Sequence, residues 1–302
     1  MKRSVNLKNI ASAILFLLFS PLLSVAQQAN YPPAAMVNSQ QRQLTSKVNQ
    51  QEYELYISLP DGYAESDTTY PVLYITDANT YFGMLADMTR NLQWGGEMPE
   101  TIIVGIGYPI SNYATDDERW GKWLAWRMRD FTSTNNAQLD ASFGIDNIKS
   151  GRADDFLKFL DSELFPFIEK EYKAKSTDRT YTGFSLGGLF GFYALLKKPE
   201  LFQNYMLGSA SIWYDDKVIL KTEKAYSESH KDLVAHVFMS AGELEEEVNA
   251  GMVRNMLELN SILKSRNYSS FKSKAVVLEG ETHMSAPAVC FQRGLRFLFR
   301  DK

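Results

Sequence analysis

The stretch Gly183-Phe184-Ser185-Leu186-Gly187-Gly188 constrains this chain more than any other. It has the form G-x-S-x-G. An apolar, β-prone run, Thr180-Tyr181-Thr182, leads in, and a helix-like apolar run over residues 189–196 leads out. A serine between a strand and a helix in this pattern sits on a sharp, strained turn that exposes its hydroxyl at the end of a sheet. Flanking glycines let two pieces of backbone approach where a side chain would not fit. The competing reading is a glycine-rich turn that only opens a buried helix. The strand–turn–helix context favours the first.

The rest of the chain supplies the matching frame. Residues 71–76 and 101–107 are continuous apolar runs, as expected of strands buried on both faces. Shorter apolar strands follow over residues 204–208, 235–240 and 273–278. Residues 52–59 alternate and read as an edge-type strand. Helical patterns over residues 80–92, 154–172, 248–266 and 286–300 fall between or after the strands. In the second of these, Phe156, Leu160, Leu164 and Ile168 share one face, and Pro166 should kink it. Strands alternating with helices predict an α/β fold with a doubly wound, mainly parallel sheet. Residues 108–150, rich in Trp, Arg, Asp and Asn, read as an irregular insertion near the active site. The sequence has no internal repeat, P-loop or dinucleotide fingerprint, so no cofactor is expected.

The start of the chain has the pattern of a targeting segment. Lys2, Arg3 and Lys8 precede an apolar stretch over residues 10–19, and Ser24-Val25-Ala26 resembles a cleavage site. The expected organisation is a signal peptide over residues 1–26, a loose polar arm over 27–50 and one enzyme domain over 51–302. That organisation predicts a periplasmic or secreted protein without a stable membrane anchor; a retained anchor is the competing reading. The net charge of −4 argues against nucleic acid as a partner. The single cysteine, Cys290, lies in an apolar stretch and reads as a small core residue.

A serine hydroxyl needs a base, and histidine suits that role near neutral pH. Of the three histidines, His283 lies in a short loop directly after the last apolar strand, Gly280-Glu281-Thr282-His283. A nucleophile-elbow hydrolase runs in the order serine, acid, histidine, and His283 fits its last position. His236 opens a strand, where packing is its simplest role, and His230 falls in a polar, solvated segment. The acid should lie in the loop after the preceding strand, where residues 243–247 hold four glutamates. Loop position favours Glu245, with Glu243 next. Two backbone N–H groups should hold the oxyanion. One belongs to Leu186, and the other to Ala78 or Asn79 in the loop after residues 71–76. No metal is required.

These segments together resemble one family of α/β-hydrolase esterases. It includes the siderophore (ferric enterobactin and salmochelin) esterases, S-formylglutathione hydrolase, feruloyl and acetyl-xylan esterases, and the mycolyltransferases. Val72-Leu73-Tyr74-Ile75-Thr76-Asp77-Ala78-Asn79-Thr80-Tyr81-Phe82 is similar to its LYxxDGxxYF segment, with Ala78 in place of glycine. Arg127-Met128-Arg129-Asp130-Phe131-Thr132 resembles its R-x-R-D-(F/Y)-T-P loop, with Ser133 in place of proline. Gly242-Glu243-Leu244-Glu245 resembles its acid loop and favours Glu245. Gly280-Glu281-Thr282-His283 resembles the histidine loop of its exported siderophore esterases. The acid is that family's least constant member, so a Ser–His dyad is the alternative.

The resemblance implies a serine esterase acting on a small-molecule ester, with a catecholate trilactone as the first specific expectation. A feruloyl or acetyl carbohydrate esterase and an acyltransferase are the alternatives. A non-catalytic binding protein on the same scaffold is a minor one, because binding alone needs none of Ser185, Glu245 and His283. Arg127, Arg129 and Trp213 are the candidate substrate-binding residues. Arginines beside aromatic rings suit a planar, anionic aryl group. The plainer expectation for the arginines is ion pairing with nearby carboxylates such as Asp130.

Overall fold

The computed structural model describes residues 34–248 and 251–299. The chain divides into two units, residues 1–35 and 36–302. In the first, the two described residues, Ala34 and Ala35, are exposed; the expected signal peptide and cleavage site lie outside the described residues. Among the described residues, no helix is long and apolar enough to cross a membrane.

The second unit is built on one eight-stranded sheet. Its strands are β1 (Ser39–Thr45), β2 (Glu52–Ser58), β3 (Tyr70–Thr76), β4 (Ile102–Gly107), β5 (Ala174–Phe184), β6 (Asn204–Gly208), β7 (Ala235–Gly242) and β8 (Phe271–Leu278). The order across the sheet is β1-β2-β4-β3-β5-β6-β7-β8. β1 and β2 run antiparallel to their neighbours, and all later pairings are parallel. The α/β fold and mainly parallel sheet expected from the alternating pattern are therefore present.

Burial on both faces follows from the side-chain alternation of a strand. In β3, Val72 and Tyr74 join one apolar cluster, while Leu73 and Ile75 join the cluster on the opposite face. β2 is not an edge strand, because β1 covers its outer side. β1 falls within residues 27–50, which read as a loose arm. Its sequence, Ser-Gln-Gln-Arg-Gln-Leu-Thr, buries almost nothing and is held by the backbone ladder, so no hydrophobic pattern announces it.

Helices connect the strands and follow the last of them. They are α1 (Ala78–Trp94), α2 (Asp116–Phe131), α3 (Ala137–Ser142), α4 (Ala153–Phe159), α5 (Phe165–Glu171), α6 (Leu186–Lys197), α7 (Tyr214–Ser229), α8 (Glu245–Val248), α9 (Met252–Ser265) and α10 (Ala286–Phe299). Between α4 and α5, Leu160–Leu164 forms a π-helical turn. Pro166 has no N–H to return to the preceding turn, so the break is displaced ahead of it.

The insertion expected to be irregular contains α2 and α3. Thr115 and Glu118 form a reciprocal capping box, and Asp116, Asp117 and Glu118 place negative charge at the positive end of α2. Leu124, Arg127, Met128 and Phe131 fall on its buried face at helical spacing. The apolar stripe is interrupted by an arginine, which is why its period was hidden.

The turn after β5 requires close backbone contact. A Cβ at Gly183 would collide with the Gly187 carbonyl. Gly183→Ala should therefore lower stability by about 1–3 kcal/mol through overpacking. Urea unfolding measures this directly; an unchanged midpoint would mean that the turn can open without cost.

Candidate active site

Ser185 occupies the turn between β5 and α6 with φ 59° and ψ −119°, a conformation that side-chain-bearing residues rarely adopt. Its N–H donates to the Gly208 carbonyl at 2.9 Å, and its carbonyl accepts the Ser211 N–H at 3.0 Å. The neighbouring strand end thus fixes the strained residue. Its Oγ lies 3.4 Å from Ser211 Oγ. Leu186 begins α6, so its N–H belongs to the first helical turn and has no intrahelical acceptor.

His283 follows β8, and its ring packs on Phe184 with centroids 4.9 Å apart. Its Nδ1 lies 2.6 Å from Glu245 Oε2. The other carboxylate oxygen of Glu245 accepts from Ser209 Oγ at 2.6 Å and from the Gly242 N–H at 2.8 Å. Burial pushes the Glu245 carboxyl up, but the bonds from His283, Ser209 and Gly242 outweigh it and hold the group below the ordinary carboxylate range. Glu243 instead accepts the Gly280 N–H, and Glu246 faces Arg254. Of the other histidines, His230 stacks on Tyr226 and His236 packs on Phe297; neither lines the cavity beside Ser185. Cys290 is buried, which pushes its thiol up to about 12 and removes it from any nucleophilic role.

Ala78 and Asn79 open α1 immediately after Asp77, which is left-handed at φ 57° and ψ 37°. Ala78 takes the place of the family glycine without strain, because the positive φ falls one residue earlier. Its methyl group fits against Gly105, where an added Cβ would lie 2.7 Å away. Asp77 stands at the helix cap but makes no capping bond with its side chain. Its buried carboxylate is spent on Arg127: Nε to Oδ1 is 2.7 Å and Nη2 to Oδ2 is 2.8 Å. Burial alone would ease the proton off Arg127. Asp77's charge and hydrogen bonds act the other way and leave the guanidinium above its ordinary value.

A cavity of about 620 Å³ opens over these residues. That volume suits a drug-sized ligand. Ser185, Leu186, His283 and Asn79 form part of its lining, with Trp120, Trp123 and Trp213 among the walls. Arg127 reaches the lining, but its charge is already paired. Arg129 does not line the cavity. It pairs with Asp130, at 2.7 Å from Nε to Oδ1, and donates to Gln51 at 2.9 Å. The expected pairing with a neighbouring carboxylate describes Arg129; Arg127 is also ion-paired, but with the distant Asp77 rather than with Asp130 or the acids at the start of α2. Arg119, also on the lining, bonds Asp116.

Three residues escaped the sequence reading: Ser209 beside Glu245, Ser211 beside Ser185, and Asp77 beneath Arg127. The run Ser209-Ala210-Ser211, small and polar directly after an apolar strand, was the available signal. Among the described residues, no group of three or more His, Cys, Asp or Glu side chains is placed to hold a metal ion.

Comparison with known proteins identifies a family for the chain. The family described as "Putative esterase" matches residues 46–283. The ferri-bacillibactin esterase BesA of Bacillus subtilis (strain 168) is 32% identical, covering 85% of this chain and 88% of the relative. The siderophore triacetylfusarinine C esterase of Aspergillus fumigatus is 27% identical, covering 89% of this chain and 96% of the relative. Among solved structures, the BES protein from Bacillus cereus superposes with a TM-score of 0.75 at 31% identity, covering 89% of this chain and 98% of that one.

The Glu245 environment gives a pH prediction. Its folded-state pKa lies below the ordinary 4.5, so its stabilising contribution is present above that value and disappears as pH falls through the lower folded value. Glu245→Gln lacks this component. The gap in unfolding free energy between wild type and variant should therefore shrink on going from about pH 6 to about pH 3. Urea titrations at both pH values measure it, and a constant gap would contradict the depressed pKa.

Proposed function

The chain belongs to this esterase family, and from that premise we propose that it hydrolyses carboxylic esters through an acyl-enzyme on Ser185. The observation that carries the reading is the short Glu245–His283 contact ending at the cavity that Ser185 also lines. His283 takes the Ser185 proton on Nε2 as the hydroxyl attacks the ester carbonyl. It returns that proton to the departing alcohol. Glu245 accepts the Nδ1–H, fixing the tautomer and stabilising the imidazolium. The N–H of Leu186 and one from Ala78 or Asn79 hold the charged oxygen of the tetrahedral intermediate. Water then repeats the sequence on the acyl-enzyme, with His283 as base.

For the substrate, the relatives named for siderophore esters make a siderophore-type ester, such as a catecholate trilactone, the first reading. The tryptophan walls support it, since flat aryl groups pack well on such rings. The leader pattern of residues 1–26 supports an exported enzyme that meets such esters outside the cytoplasm.

Ser185→Ala and His283→Ala should each lower kcat by at least about 10³-fold, and the double variant should be little worse than either, because the residues act as a unit. Glu245→Gln should cost about 10- to 10⁴-fold, and more than Glu243→Gln. Steady-state hydrolysis of an aryl acyl ester measures these effects; full activity in Ser185→Ala would remove the serine mechanism. A panel of a catecholate trilactone, a feruloyl sugar and acetylated xylan should give the highest kcat/KM on the trilactone. Product partitioning between water and an added alcohol separates hydrolysis from acyl transfer.

A further inference from the structure

The segment Arg127-Met128-Arg129-Asp130 closes α2, and both its arginines are committed within the protein. Two buried ion pairs in four residues are expensive to desolvate, and a surface helix does not need them for stability. Their partners explain their placement. Arg127 grips Asp77 with both prongs of its fork and lies over the Trp123 ring, 4.2 Å from the guanidinium carbon to the centroid. Asp77 is the left-handed residue whose backbone turns the chain into Ala78 and Asn79.

The second pair works from the other side. The fully buried Asp130 carboxylate accepts from Arg129, from Tyr53 Oη at 2.8 Å and from Tyr108 Oη at 3.0 Å. Tyr108 in turn makes two hydrogen bonds with the Asn79 side chain. Its N–H donates to Oδ1 at 2.8 Å, and its carbonyl accepts from Nδ2 at 2.9 Å. Residues 77–79 are therefore held at their first member by Arg127 and at their last by Asp130, through Tyr108.

We infer that Arg127 and Asp130 are positioning residues that clamp the Asp77–Asn79 turn, aiming its N–H groups at the oxygen that gains charge during ester attack, rather than contacts for an anionic substrate. The inference rests on the Ser185 acyl-enzyme reading. A donor held this way acts in the transition state and not on the bound ester. Loss of aim therefore appears in kcat. A recognition contact appears in KM, and only for charged substrates.

The test uses the full chain with Ser185 in place. Arg127→Met, Arg127→Lys and Asp77→Asn are compared on a neutral aryl acetate and an aryl ester bearing a carboxylate. In each variant kcat should fall about 10- to 10³-fold on both esters alike, with KM changing less than about threefold. Affinity for an arylboronic acid, which forms a tetrahedral adduct with the serine, should fall with kcat. Affinity for a non-reactive ketone-free analogue of the substrate should hold. Arg127→Lys keeps the charge without the fork and should recover only part of the loss. Asp77→Asn/Arg127→Met should be less harmful than the product of the single losses, because neither buried charge is left alone. Asp77→Asn is nearly isosteric and keeps the test open if Arg127→Met does not fold.

A KM rise confined to the charged ester overturns the clamp and restores anion recognition. Unchanged kcat in Asp77→Asn overturns it as well. So does a kcat loss that vanishes after correction for the folded fraction, measured by thermal unfolding. Failure of the underlying serine mechanism has a separate signature, full activity in Ser185→Ala, which none of these variants produces.

Discussion

The parallel pairing of β3 with β5 is the constraint on which the site depends. Register places Ile75 beside Thr182, so both strands end at the same edge of the sheet within a few residues of each other. Each then turns through a residue of positive φ, Asp77 in one case and Ser185 in the other, straight into a helix. Two helix N-termini thereby meet at one spot. The Ala78 and Leu186 N–H groups, first in their helices, have no acceptor within those helices. Antiparallel pairing at this position would put one of the two turns at the far end of the sheet. The positive φ angles are costly for residues with side chains, and the surrounding contacts hold them. Gly208 and Ser211 bracket Ser185, while Arg127 binds the side chain of Asp77.

What the sequence made readable follows from the same physics. Strands buried on both faces must be apolar throughout, so β3 and β4 stand out as uninterrupted runs. The elbow is readable because its glycine spacing is a steric requirement. β1 is unreadable by that logic: a polar strand held mainly by its ladder has no pattern to detect. α2 was misread because a buried arginine occupies one of its core-facing positions, although the Thr115–Glu118 capping box marked its start.

The site divides in a similar way. Chain order points to Ser185 and His283, since the fold fixes which strand ends can supply them. Among four neighbouring glutamates, loop position favours Glu245, but the contacts that fix its carboxylate are not written in that loop alone. They are the Gly242 N–H and the Ser209 hydroxyl, and Ser209 belongs to another strand end. The role of Arg127 was hidden more deeply. Its partner lies 50 residues earlier in the chain, and Asp130, next to Arg129, offered a nearer carboxylate to the eye. Spacing on a single helix reports which side chains share a face. It does not report which carboxylate another loop presents to that face.

The solitary Cys290 has a consequence of a different kind. With one cysteine in the sequence there is no internal disulfide, and the buried thiol is closed to exchange with other molecules. No covalent tie within the chain depends on whether its surroundings are reducing or oxidising. Recovery of the native state from denaturant should therefore proceed without an oxidant or a disulfide isomerase.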